Sequence, residues 1–137
     1  MSATLAPPGA SPPCPDLADP SDARAGEPAI DLVHLARQTD HDSALEDELL
    51  DLFDRQSASL LAQASAEGAP TRKRAEAAHT LRGSALAVGA GEVARAAQAV
   101  ETSLECGNTE NPRIDSALAA LAGAIGRARA AIARLRR

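Results

Sequence analysis

From residue 30 onward, apolar and polar positions alternate with the period of an α-helix, and the pattern is interrupted only at a few punctuation points. Ile30, Val33 and Ala36 or Arg37 predict a short first helix that ends near Asp40 and lies across the others as a lid. Ser43-Ala44-Leu45-Glu46 has the form of a capping box, in which hydroxyl and carboxylate satisfy backbone N–H groups reciprocally. Leu45, Leu49, Leu52 or Phe53, Leu60 and Ala64 then recur at helical spacing as far as Gly68, a left-handed terminator. This second helix spans about 24 residues, or roughly 36 Å. Pro70 and Thr71 open a third, whose inward stripe is Ala78, Leu81, Ala85 and Val88.

Gly89-Ala90-Gly91 turns the chain into a fourth helix with Val93, Ala97, Val100 and Leu104 inward, closed by Gly107. Asn111 and Pro112 start the last helix as N-cap and first helical residue. Its stripe of Ile114, Leu118, Leu121, Ile125, Ala128, Ile132 and Leu135 alternates steps of four and three, the seam of a left-handed helix pair. Turns this short force neighbours to run antiparallel. The predicted fold is all-α: an up-down-up-down four-helix bundle with a short additional N-terminal helix, over residues 29–137.

Residues 1–28 break the pattern. They hold seven of the nine prolines and show no apolar period, so they cannot bury enough surface to offset their ordering entropy and are expected to be a disordered leader. Pro7-Pro8 and Pro12-Pro13 match no full PxxP context.

Composition narrows the possibilities. One phenylalanine is the only aromatic residue, so the core is built from Ala, Leu, Ile and Val, which suits closely packed helices. The net charge of −5 is uneven: acids dominate residues 30–69, and bases, nearly all arginine, dominate 70–137. An acidic chain almost without aromatics excludes stacking on nucleic acid. Cys14 and Cys106 form no disulfide framework, and a reduced, cytoplasmic protein is expected. No apolar run approaches the ~20 residues that span a bilayer, and signal-peptide features are lacking, so no membrane association is expected.

The chemistry concentrates in Ala78-His79-Thr80-Leu81-Arg82-Gly83-Ser84-Ala85. His79 sits one residue, about 100°, off the core stripe and so points outward. Arg82 and Gly83, at i+3 and i+4, share its face. A histidine that carries a phosphoryl group needs an exposed neutral nitrogen, a nearby cation and open space for in-line approach. Arg82 supplies the cation, and Gly83 removes the Cβ that would crowd a partner. A glycine inside a helix costs about 1 kcal/mol against alanine, which favours a functional reason for it. The second ring nitrogen calls for an acceptor, with Glu101 as the candidate and Gln98, one turn earlier, as the alternate. Leu86, two turns past His79, is a candidate docking contact, with Leu50 of the second helix beside it.

These residues carry a resemblance. Residues 30 to about 105 look like a histidine-containing phosphotransfer (HPt) domain, whose His-x-Leu-Lys-Gly-Ser signature stands here as His79-Thr80-Leu81-Arg82-Gly83-Ser84, followed at the family's spacing by Gly89-Ala90 and Glu101. Glu48-Leu49-Leu50-Asp51-Leu52-Phe53 resembles the family's second helix. The resemblance implies a monomeric bundle whose His79 accepts a phosphoryl group from an aspartate of a receiver domain and passes it to another. Arg82 is then the phosphate-facing cation, although lysine is commoner there and arginine presents a planar fork instead of a point charge. The implied partners are response-regulator receiver domains, with a hybrid histidine kinase as a further partner. No cofactor is implied for this chain, and Mg²⁺ is expected on the receiver. No nucleotide-binding glycine motif accompanies His79, so the domain is a relay substrate without kinase activity of its own.

Two other readings compete. Glu76-Ala-Ala-His79 has the Glu-x-x-His spacing of di-iron bundles, but its only approximate counterpart, Asp31-Leu-Val-His34, lies on the short first helix. In a non-catalytic helical adaptor, His79 would be an ordinary surface histidine; His34 and His41, which lack its surroundings, are expected to be structural or solvated.

Overall fold

The computed structural model describes residues 28–106 and 112–136. Residues 1–27 of the leader, Gly107 and Asn111 lie outside the described residues. Five helices follow one another: α1 (Leu32–Gln38), α2 (Ser43–Ser65), α3 (Thr71–Val88), α4 (Gly91–Glu105) and α5 (Pro112–Leu135). α2 packs on α3, α3 on α4, α4 on α5, and α5 returns to α2, which closes the four-helix ring, while α1 rests on α3 and α2. The predicted bundle with one extra N-terminal helix is the observed architecture.

The α3 and α4 stripes are buried as the periodicity predicts: Ala78, Leu81, Ala85 and Val88 face Val93, Ala97, Val100 and Leu104 in one core. On α5, Ile114, Leu121, Ile125, Ala128 and Ile132 are buried, Leu118 is half-buried, and Leu135 is exposed. This helix corrects one expectation. Over Arg113–Leu135 it is long and apolar enough, by length and composition, to cross a membrane. Here its apolar stripe is spent on the bundle core.

α2 bears out most of its predicted stripe, with Phe53 and Ala64 buried and Leu49 and Leu60 packed half-buried against the core, and departs from it at four positions. Leu50, Phe53, Ser57 and Ala64 are buried, whereas Leu45 and Leu52 are exposed. Leu50 is therefore a core residue and not part of a docking surface. The cap differs too. Asp42 is the N-cap, its carboxylate accepting from the backbone N–H groups of Ala44 and Leu45 at 3.0 and 3.2 Å. Glu46 does not return to Ser43 and instead accepts from the Thr39 hydroxyl at 3.2 Å. α2 ends at Ser65 on an extended Ala66, so Gly68 sits in the following turn and is not the helix terminator. There the buried Arg74 of α3 donates Nε–H to the Ala64 carbonyl at 2.9 Å, placing a cation at the negative end of the α2 dipole.

α1 is seated by Leu35, which is buried, and by Ile30 just before it; Val33 is exposed, contrary to the predicted stripe. Its attachment is polar as well. The Asp31 N–H donates to the Gly89 carbonyl at 2.8 Å, and His34 Nε2 donates to the Leu86 carbonyl at 2.6 Å, which gives His34 a structural role. Gly89 is the left-handed C-cap of α3 with φ of 78°, and a Cβ there would lie 2.7 Å from the Asp31 carbonyl oxygen. Both backbone conformation and close approach demand glycine at this point.

The acidic face of α2 is partly claimed by arginines in the C-terminal part of α5 and just past its end. Arg136 bonds Asp47 and Asp51, each at 3.0 Å, and Arg129 bonds Asp54 at 2.8 Å. Glu92 and Arg127 tie α4 to α5 in the same way. Cys106 also departs from expectation: it is disulfide-bonded, not a free thiol.

The α2–α5 pairing carries a pH signature. The hydrogen bond from Arg136, with further help from Arg55, holds the Asp51 carboxyl below its usual value of 3.8. A depressed carboxylate stabilises the fold above its unfolded-state pKa, and that contribution disappears as pH falls through the lower folded value. Acid unfolding followed by circular dichroism is therefore expected to show a smaller loss of thermal midpoint below about pH 4 in Arg136→Gln than in the wild type, and added salt should reduce the difference.

Candidate functional site

His79 lies midway along α3, one position past the fully buried Ala78 and two before the fully buried Leu81. Those two core contacts fix the rotation of the helix and turn the imidazole outward, leaving its side chain 68% exposed. The chain then brings α4 alongside. Burial of Val100 and Leu104 sets the phase of that helix, and Glu101, next to Val100, emerges toward His79. Glu101 Oε2 lies 3.1 Å from His79 Nδ1.

This contact fixes the chemistry of the ring. A neutral imidazole facing a carboxylate through Nδ1 donates its proton there, and Nε2 keeps the in-plane lone pair of a nucleophile. Glu101 is itself largely covered, with 15% of its side chain exposed, so the hydrogen bond is held by a carboxylate with few alternative solvent partners. Gln98, the alternate partner, is exposed one turn earlier on α4, and the bond goes to Glu101.

Arg82 and Gly83 complete the face. Arg82 Nη1 lies 3.9 Å from Glu101 Oε1, beyond hydrogen-bonding reach but within ion-pair range. Glu101 thus stands between the histidine and the arginine, a link that sequence reasoning missed because it assigned Arg82 to phosphate alone. A Cβ on Gly83 would meet nothing within 4 Å, so the site is open on that side and tight helix packing is not the reason for the glycine. Leu86 is 49% exposed at the far end of the row, and its carbonyl holds α1 through His34.

On the other side of His79, a cavity of about 790 Å³ opens between α3 and α4, lined by Thr71, Ala75, Glu76, Thr80, Leu104 and Glu105 among others. The residues of the metal reading are not assembled there. Glu76 pairs with Arg72 at 3.3 Å, His79 with Glu101, and His34 lies against Leu86. Among the described residues, no group of three histidine, cysteine or acidic side chains could hold a metal ion.

An exposed histidine with one nitrogen held by a carboxylate, a cation one turn on and an open glycine beside it has the chemical parts that phosphoryl transfer requires. The Hpt domain family model matches residues 43–137. The chain belongs to the Hpt domain family. A phosphotransfer role in two-component signalling goes with that membership, and Hpt domains interact with receiver domains and kinases in phosphorelays. No curated protein and no solved structure matches the chain. The Hpt match begins at α2, so α1 and its contacts with Gly89 and Leu86 lie outside it.

The tautomer can be checked directly. In Glu101→Ala, the imidazole loses the acceptor that favours Nδ1–H, and ¹⁵N-edited NMR of His79 is expected to show its two ring nitrogens shifting toward the Nε2–H form; unchanged shifts would assign the acceptor elsewhere.

Proposed function

We propose that this Hpt protein is a phosphorelay intermediate in which His79 accepts a phosphoryl group from the aspartyl phosphate of one receiver domain and delivers it to the aspartate of another. The observation that carries this reading is the His79–Glu101 contact on an otherwise exposed ring, because it leaves Nε2 as the nitrogen presented to a donor.

In the forward step, the Nε2 lone pair forms the N–P bond while the P–O bond to the donor aspartate breaks and its carboxylate leaves. The ring, still protonated on Nδ1, becomes a phosphorylated imidazolium whose positive charge faces Glu101. Delivery reverses these bond changes at the acceptor aspartate. Because the transferring group is loosely bonded at its transition state, catalysis consists chiefly of alignment and charge stabilisation. His79 contributes the nucleophile, Arg82 a cation for the phosphoryl oxygens, and Gly83 the clearance for in-line approach. Mg²⁺ belongs to the receiver in this reading. Leu86 offers the receiver an apolar contact at the end of the same row, without Leu50, which is in the core.

Incubation of the full chain with a phosphorylated cognate receiver is expected to label the protein with an acid-labile, base-stable phosphate, and His79→Gln should abolish that label. Persistent labelling of the mutant would remove His79 from the relay. Gly83→Leu separates docking from folding. With no atom within 4 Å of the added Cβ, the substitution should stabilise the isolated protein by up to about 1 kcal/mol in urea unfolding, yet slow transfer at least tenfold. Equal transfer rates would show that close approach beside His79 is not required.

A further inference from the structure

We propose that Arg82 is handed from Glu101 to the phosphoryl group when His79 is phosphorylated, so that Glu101 serves as the resting counter-ion of the cation as well as the partner of the ring. The inference rests on the phosphotransfer reading of His79 and deepens it.

Three observations on one carboxylate carry it. Glu101 uses separate oxygens for its two neighbours, Oε2 for His79 Nδ1 at 3.1 Å and Oε1 for Arg82 Nη1 at 3.9 Å. The first is a hydrogen bond; the second is a loose ion pair that the arginine can leave without breaking a formed bond. Glu101 is mostly covered whereas Arg82 keeps 37% of its side chain exposed, so the carboxylate is the fixed member and the guanidinium the one with freedom to turn.

Charge accounting then favours the exchange. At rest the site holds the Glu101 anion, the Arg82 cation and a neutral imidazole, and the cation balances the anion. Phosphorylation at Nε2 leaves the proton on Nδ1, so the ring gains one positive charge that already faces Glu101. The same step places about two negative charges on the phosphoryl oxygens. Glu101 thereby acquires a hydrogen-bonded counter-ion in the ring just as a stronger anion appears on the face that Arg82 shares. Two separate pairs, Glu101 with the imidazolium and Arg82 with the phosphoryl group, replace one shared carboxylate. Arginine's forked donors suit this second partner.

The test uses the full chain phosphorylated with phosphoramidate, in which the Nε2–P bond forms as the donor P–N bond breaks and ammonia leaves. ³¹P NMR then follows the ionisation of the phosphoryl group, and ¹⁵N NMR follows the Arg82 side chain. The resting protein should show an Arg82 signal that shifts in Glu101→Gln, and the phosphorylated protein one that does not. Arg82→Gln should raise the ³¹P titration midpoint by about one pH unit, and Arg82→Lys should restore most of it. An Arg82 signal that responds to Glu101→Gln in both states, or a midpoint indifferent to Arg82→Gln, would overturn the handover while leaving phosphotransfer intact. Failure of His79 to take the phosphoryl group at all would overturn the underlying reading and the handover with it.

Discussion

The close packing of α3 against α4 is the constraint on which the rest depends. Both helices turn alanines inward, Ala78 and Ala85 from α3 and Ala94, Ala96 and Ala97 from α4, with Leu81, Val88, Val93, Val100 and Leu104 filling the space between. Small side chains let two backbones approach closely, and a packed seam of this kind fixes the rotation of each helix, because a slip of one position would expose the stripe. The functional contact is a by-product of that register. His79 and Glu101 each stand one position beyond a fully buried residue, Ala78 and Val100, and the seam brings their polar ends to hydrogen-bonding distance.

The remaining sides of the bundle are held by a different balance of forces. α5 closes the ring with its apolar stripe, but toward α2 its Arg129, and Arg136 just past its end, also bond a row of aspartates. Such exposed pairs stabilise weakly one by one. Their geometry matters more for orientation: three acids of α2 at steps of four and three, Asp47, Asp51 and Asp54, meet arginines one helical stretch apart on α5. α1 is fastened by still fewer contacts. It has one fully buried leucine and two hydrogen bonds to the α3 terminus, at Gly89 and Leu86.

How legible each part was in the sequence follows from how many phases its apolar residues allow. α3 and α4 offer one apolar phase each, and their buried faces, the Gly89 turn and the outward direction of His79 were all readable. α2 offers two, because Leu49-Leu50-Asp51-Leu52-Phe53 places apolar residues on opposite sides of the helix. The centre of the buried face, Leu50, Phe53, Ser57 and Ala64, contains a buried serine, so counting apolar residues found Phe53 and Ala64 but missed Leu50 and Ser57 and admitted the exposed Leu45 and Leu52. α1 has the same ambiguity compressed into Leu32, Val33 and Leu35. Adjacent capping residues, Asp42 and Ser43, left the start of α2 uncertain by one position. The Arg82–Glu101 approach had no sequence signal at all, since it depends on the separation of two helices rather than on spacing within one.

The segregation of charge ties the scaffold to the site. On the relay reading proposed above, a chain of net charge −5 that takes up a doubly negative phosphoryl group gains from keeping paired acids away from it. The densest acidic run, on α2, is turned in part toward the α5 arginines, while His79 emerges on the side that α3 shares with α4. Charges in water are screened over about 8 Å at physiological salt, so acids committed to another face and already paired contribute little repulsion there. Glu76 and Glu105 also border the cavity beside His79, but Glu101 is the acid hydrogen-bonded to the ring, and on the relay reading it is the one whose charge a phosphorylated imidazolium would use. The arginines that pair with α2 therefore orient the helices and also neutralise part of the α2 acidic run, which a neutral apolar seam between the same helices would not do.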